Sequence, residues 1–346
     1  MKAMILAAGL GTRMRPLTEH CPKPLLPLLL QPMLDHILAQ LRRYGVRDVI
    51  INLHHQAAQL AQWLGDGSRW DVRLVLSFEP EILGTAGALK RVESLLRDAP
   101  FLVLNADVLM DVDLHALWDW HCQRRALLTM VVRPDPAARS YGPVIVDADD
   151  RVLLINGRPP MHVLATGQET IFACMQVVDP QVLDYIPPDG FSMTTTDVYP
   201  ALLERQEAVY GYRYTGYWID IGVPERYLQA HWDILDGVLG DHWLHRLPVG
   251  SHVVLRPDDT SCTAPGVTFV PPVVLGPAVE LAPGVRLGPY AVLGPGCRLA
   301  AGAVVRDSIL WERVQVGEGA QVQGCVLATG VHVPAASTLV QEVRSG

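Results

Sequence analysis

The 346-residue chain is 49% hydrophobic and 18% charged, which is ample material for a core, length for two domains, and no signature of disorder. A net charge of −8 argues against a general nucleic-acid or membrane-surface binder, and no apolar run approaches the roughly 20 residues that span a bilayer. The cysteines at 21, 122, 174, 262, 297 and 325 form no C-x-x-C pair, and the N-terminus runs into a strand without a charged n-region or cleavage site, so a reduced, cytoplasmic protein is expected.

Met4 to Ala7 reads as a buried strand, and Ala8-Gly9-Leu10-Gly11-Thr12 follows as a flexible loop. Glycines let backbone approach a ligand closely, and converging backbone N–H groups suit an anion such as phosphate. Arg13 and Arg15 come next, then Lys23 held between two prolines. Free amides followed by spaced cations are chemistry for a polyphosphate. A P-loop is excluded because no Gly-Lys pair is present, and a dinucleotide fingerprint because Met14 stands where its third glycine belongs. A plain strand-to-helix turn with surface arginines is the competing explanation.

Residues 33 to 44 read as a helix ending at Gly45, 48 to 53 as a strand, 56 to 64 as a helix and 74 to 78 as a strand. A second glycine-punctuated loop, Gly84-Thr85-Ala86-Gly87, enters a helix, with Thr85 a candidate cap. Phe101 to Leu104 is a buried strand ending in Asn105-Ala106-Asp107. Alternation of this kind predicts a mostly parallel sheet with helices on both faces, whose ligands lie at the strands' carboxyl ends. Asp107 sits at such an end and suits magnesium beside a triphosphate, although an Asx-turn would also explain it. Asp111 and Asp113 read as solvated or capping. Further on, 128 to 132 is a strand, Thr194-Thr195-Thr196-Asp197 caps a helix from Val198, and Tyr227 to Leu235 is helical.

From about Val267 the period becomes six: VVLGPA, VELAPG, VRLGPY, AVLGPG and CRLAAG run from 273 to 302. After an insertion at 307–313 the pattern resumes as VQVGEG and ends near VHVPAA. Hexads predict a left-handed parallel β-helix with aliphatic residues inward. A hexapeptide acyltransferase would need a catalytic histidine, and only His332 lies in these hexads. The division expected is 1–240 for an α/β domain, Rossmann-like, and 250–346 for the β-helix.

Residues 4–28, MILAAGLGTRMRPLTEHCPKPLLPL, resemble the signature of the sugar-phosphate nucleotidyltransferases, the NDP-sugar pyrophosphorylases, and most closely their mannose-1-phosphate guanylyltransferase-like members with a C-terminal β-helix. Residues 215–227, TGYWIDIGVPERY, match the family's G-x-W-x-D-[IV]-G-x-P-x-x-Y run. The resemblance implies a nucleotide site at Leu6, Ala8, Gly9, Gly11, Thr12, Gly84, Thr85 and Gly87, and catalytic Arg13, Lys23 and Asp107. It implies Mg²⁺ on Asp107 and Asp220, and a sugar site at Gly142, Arg158 and Trp218. It further implies nucleoside triphosphate and sugar-1-phosphate as substrates, GTP with mannose-1-phosphate foremost, and a homo-oligomer that engages neither nucleic acid nor membrane. Uridylyl transfer, or a silent sugar-nucleotide sensor, are the alternatives. The chain departs from the family at Gly157-Arg158-Pro159, where Glu-Lys-Pro is usual, and at Phe172-Ala173-Cys174, where Asn-Ala-Gly is common. Arg158 would replace that lysine, although the two are not interchangeable in geometry.

Overall fold

The computed structural model describes residues 1–136, 138–158, 167–239, 247–255 and 265–345. They form two units, Met1–Leu10 with Leu34–Trp218, and Gly11–Met33 with Ile219–Gly346.

In the first unit, four apolar runs become parallel strands: β1 (Lys2–Leu6), β2 (Asp48–Leu53), β3 (Arg73–Phe78) and β4 (Phe101–Asn105), in the order β3-β2-β1-β4. Parallel neighbours need long crossovers, and these contain α1 (Met33–Arg43), α2 (Ala57–Leu64) and α3 (Gly84–Arg91). Met4, Ile50, Phe101 and Val103 of the strands pack with Ala86 and Leu89 of α3 in one core. Registers Leu6↔Asn52 and Leu6↔Asn105 bring these strands' carboxyl ends to one edge.

The later strands are β5 (Leu128–Arg133), β6 (Pro143–Val146), β7 (Val152–Ile155), β8 (Gln168–Val178) and β9 (Val209–Arg213). Eleven residues long, β8 runs antiparallel to β4, β5 and β6. The sheet is therefore parallel over one half, from its edge strand β3 to β4, and mixed beyond it. Because β8 opposes both β4 and β5, the latter two point the same way, and β9 runs parallel to β5. Arg133 and Tyr214 thus join Ala7, Glu79 and Asp107 at the carboxyl edge. Asp113 caps α4 (Leu114–Arg124), accepting from the His115 and Ala116 amides at 2.9 and 3.1 Å. The short helix α5 (Tyr199–Glu204) follows in the first unit, and the twelve-residue α6 (Pro224–Leu235) belongs to the second.

In the second unit the hexads form three stacked parallel sheets, whose runs of coils open with the strands Thr268–Phe269, Val273–Leu275 and Glu280–Leu281. Val285, Leu287, Leu293, Leu299, Val316 and Leu327 fill the interior. The antiparallel strand His252–Val254 covers the first coil's edge on Val273–Leu275, which removes an open ladder. The expected insertion at 307–313 is not one. Ser308–Leu310 pairs with Ala291–Leu293 on one side, and Ile309–Leu310 with Val326–Leu327 on the other, so the segment is an ordinary face. The period simply shortens, from 18 residues between Val273 and Ala291 to 17 between Ala291 and Ser308. One residue is lost at the turn marked by Asp307, Gly324 and Gln341, all at positive φ of 50° to 65°. His332 lies exposed on an outer face, paired in register with Gln315. Among the described residues no helix is long and apolar enough to cross a membrane.

Candidate active site

Strand β1 delivers the chain to the glycine loop, and a buried polar relay fixes where it ends. The Ala7 N–H donates to Asn52 Oδ1 at 2.7 Å, and Asn52 Nδ2 donates to Glu79 Oε1 at 2.8 Å. Glu79 Oε2 accepts the Leu83 N–H at 3.1 Å, one residue before α3. Asn52 and Glu79 are only 4% exposed, so each bond is made without competition from water. Two loops far apart in sequence are thereby held to one frame. Neither residue was singled out from sequence, yet Asn52 is a polar side chain in an otherwise apolar strand, and such a group must find a partner.

The second loop owes its glycines to close packing. A Cβ on Gly84, which has φ 73°, would lie 2.4 Å from the Ser192 carbonyl oxygen, and one on Gly87 would lie 2.9 Å from that of Gly190. The Ser192 carbonyl also accepts the Ala86 and Gly87 N–H groups. Thr85 is not the cap expected. It sits inside α3 and its hydroxyl lies 2.9 Å from that of Thr194 while accepting the Thr194 N–H, because segment 190–194 folds against the start of the helix. The expected Thr194–Asp197 cap is instead part of a wide helical turn, Thr194–Val198, that leads into α5 without a side-chain cap, and within it Asp197 reaches back to accept the Met193 N–H at 2.7 Å.

The family departures have distinct backbone causes. Asn156 and Gly157 have φ of 51° and 76° in a tight turn closed by bonds between Ile155 and Arg158, as in a type I′ hairpin. Arg158 is exposed directly after it. Gly142 turns at φ 88°, a left-handed conformation that favours glycine, and a Cβ there would also lie 2.0 Å from Asn156 Oδ1. Cys174 occupies a bulge in β8 at φ 59°, where the register slips between Phe172 and Gln176. A residue with a Cβ pays a steric penalty at that left-handed position. The Ala173 carbonyl in the bulge accepts the Trp218 indole N–H at 3.1 Å, and the Arg133 guanidinium covers the Trp218 ring at 5.3 Å. Trp218 is 8% exposed, which makes it a support for the bulge as well as a member of the matched motif.

In the second unit Gly11 turns the chain at φ 63° into the short helix Thr12–Met14. Its carbonyl accepts the Thr18 hydroxyl at 2.8 Å, and a Cβ there would press Thr18 and Lys23. Lys23 opens a single turn, Lys23–Leu25, whose Leu26 N–H returns to the Lys23 carbonyl at 3.1 Å. Neighbouring Cys21 is inert at neutral pH, since burial pushes its thiol up to about 12. Arg13 and Asp220 converge although far apart in the sequence. A Cβ on Gly222 would lie 2.9 Å from Arg13 Nη2 and 3.1 Å from Asp220 Oδ2. The missing side chain leaves a cradle with a guanidinium and a carboxylate at its rim, a donor and acceptor pair suited to phosphate and to a hard cation. Asp107 lies in the first unit, two residues beyond β4.

Residues 2–237 match the nucleotidyl transferase family, and residues 289–342 the GlmU-like C-terminal hexapeptide family. The chain belongs to the sugar-1-phosphate nucleotidyltransferases. It is 30% identical to a UTP–glucose-1-phosphate uridylyltransferase of Synechocystis sp., over 93% of this chain and 86% of that one. It is 32% identical to a mannose-1-phosphate guanylyltransferase of Mycobacterium tuberculosis, over 79% and 74% respectively. In fold it is similar to HddC of Yersinia pseudotuberculosis complexed with GMP-PN, with a TM-score of 0.56 at 24% identity, covering 67% of this chain and 99% of that one. The enzyme is therefore a nucleotidyltransferase with a hexapeptide-repeat C-terminus, and its relatives include both guanylyl and uridylyl enzymes. Enzymes of this family generally use a divalent metal. Among the described residues no cluster of three or more His, Cys, Asp or Glu forms a closed metal cage, so a metal here would take further ligands from substrate phosphates and water.

Proposed function

We propose that the enzyme joins GTP and mannose-1-phosphate, or a similar hexose or heptose phosphate, into an NDP-sugar. A phosphate oxygen of the sugar-1-phosphate attacks the α-phosphorus, the bond from that phosphorus to the β-phosphate oxygen breaks, and pyrophosphate leaves. Such a reaction needs positioning and charge neutralisation more than acid–base work. Arg13 holds the triphosphate and the charge that builds on the leaving pyrophosphate, and Lys23 holds the α-phosphate and the attacking phosphate. Asp107 and Asp220 would hold Mg²⁺, which would supply charge neutralisation to phosphate oxygens. Leu6, Ala8, Gly9, Gly11 and Thr12 line the nucleotide, with Gly84, Thr85 and Gly87 toward the base. Gly142, Arg158 and Trp218 face the sugar. Residues 1–240 act as the catalytic domain and 250–346 as the β-helix.

The observation that carries this reading is the convergence of Arg13 and Asp220 over Gly222. Uridylyl transfer is the second reading, favoured by the relative that spans 93% of the chain. Pyrophosphate release with Mg²⁺, crossing the four NTPs and dTTP against a panel of sugar-1-phosphates, decides between them. Release with GTP and one sugar phosphate is the expected result. Release with UTP alone selects the second reading, and none with any pair refutes both.

A further inference from the structure

One buried hydroxyl joins three parts of the second unit. Tyr227, in the first turn of α6, is fully buried. Its O–H donates to the Pro27 carbonyl, and its oxygen accepts the Trp311 indole N–H at 3.1 Å. Pro27 ends the proline-braced segment that begins at Pro22 and carries Lys23, and it pairs with Pro32 in a short two-residue ladder. Trp311 lies on the β-helix, its own N–H bonded to Leu327 of the next coil at 2.8 Å and its carbonyl accepting Cys297 Sγ at 2.9 Å. Helix α6 itself follows the Asp220–Gly222 segment by one residue. The phenol therefore stands between the lysine loop, the helix behind the Asp220 carboxylate, and the β-helix wall.

We propose that Tyr227 and Trp311 are positioning residues for Lys23, so that the β-helix is a working part of the catalytic machinery and not only an appended scaffold. The chain of contact is short: the Trp311 N–H orients the phenol, the phenol fixes the Pro27 carbonyl, and the prolines transmit that fix to the turn at Lys23. Prolines lock φ and remove the slack that a flexible segment would have. A buried hydrogen-bond chain of this kind is worth most when complete, and its loss leaves donors and acceptors unpaired. The same helix touches the β-helix a second time, at its far end, where the Tyr290 hydroxyl donates to Asp236 at 2.8 Å and packs on Trp232. That contact does not reach the lysine loop, so it is a control for docking without positioning.

The proposal rests on the role given to Lys23 above, and its test separates the two. Tyr227→Phe, Trp311→Phe, their double variant and Tyr290→Phe are assayed for kcat, KM and Tm, well below the lowest Tm. Expected are a fall in kcat of about tenfold for Tyr227→Phe and about fivefold for Trp311→Phe, the size of one or two hydrogen bonds. The double variant should be no slower than Tyr227→Phe, because the two act in series, and Tyr290→Phe should keep its kcat. If both relay variants keep kcat within twofold, or Tyr290→Phe loses as much as they do, the relay is overturned. A wild-type enzyme without turnover counts against the role of Lys23 alone. Amide exchange at Leu25 and Leu26 then decides the relay: faster exchange in Trp311→Phe supports it, and an unchanged rate refutes it.

Discussion

Replacing Gly222 with alanine isolates the proposed chemistry from folding. Gly222 lies outside the left-handed φ region that disfavours a Cβ, and Gly→Ala at compatible sites contributes about 0.4–1 kcal/mol of stability through the unfolded chain. The new methyl would meet Arg13 Nη2 at 2.9 Å and Asp220 Oδ2 at 3.1 Å, where ordinary contact begins near 3.4 Å. The guanidinium must therefore retreat by about 0.5 Å and the carboxylate by about 0.3 Å. Both are ends of side chains, so the fold yields at little cost. A misplacement of ~1 Å at a reacting centre can cost ~100-fold in rate. On that scale kcat is expected to fall between about tenfold and a hundredfold, with Tm unchanged or slightly higher. Steady-state pyrophosphate release and a thermal melt on the same sample measure both. A Gly222→Ala enzyme with full kcat would show that Arg13 and Asp220 do not act from this geometry.

Glu79→Gln turns one acceptor oxygen into an N–H₂ facing a buried donor, which should cost about 1.5–3 kcal/mol in urea unfolding. It should also raise the KM for nucleotide about tenfold with a smaller change in kcat, since Ala7 and Leu83 lose their common frame; an unchanged KM would count against this. Asp107→Asn removes the carboxylate charge while keeping the shape, so turnover should drop at least a hundredfold with Tm within about 2 °C of wild type; retained turnover would remove it from the metal site. His121 is buried against the Thr129 hydroxyl at 2.8 Å, and burial depresses its pKa from 6.5 to about 4. Between those values the unfolded chain binds the extra proton, so stability is complete above pH 6.5 and falls as pH drops toward 4. The loss is about 3 kcal/mol on the scale of 1.36 kcal/mol per pKa unit. Denaturant titrations across that range should show it, and His121→Gln should flatten the profile.

Much of the fold was legible because it is written in local periods. Apolar runs at 48–53 and 101–104 read as strands, bounded as they are by turn residues, and a repeat of six residues admits little but a β-helix. The glycine loop, Arg13, Lys23 and the Asp220 run were legible as a pattern of residue types suited to phosphate. The reversal at β8 was not legible, since strand direction depends on which neighbours pair and not on the strand's own residues. Nor was the shortened coil, because a lost turn residue looks in sequence like a broken repeat. Asn52, Glu79 and Ser192 stayed hidden for a related reason: their partners are 27 to 109 residues away or on backbone atoms that carry no sequence signal. The sequence by itself determined the element types, the hexad solenoid and the inventory of charged groups, all of which follow from side-chain chemistry at short range. Only the tertiary structure decided that Gly84 is a glycine to admit a neighbouring carbonyl, that Arg13 meets Asp220 over Gly222, and that one tyrosine hydroxyl joins the lysine loop to the β-helix. Those contacts form when distant segments close-pack, and close packing is a property of the folded chain alone.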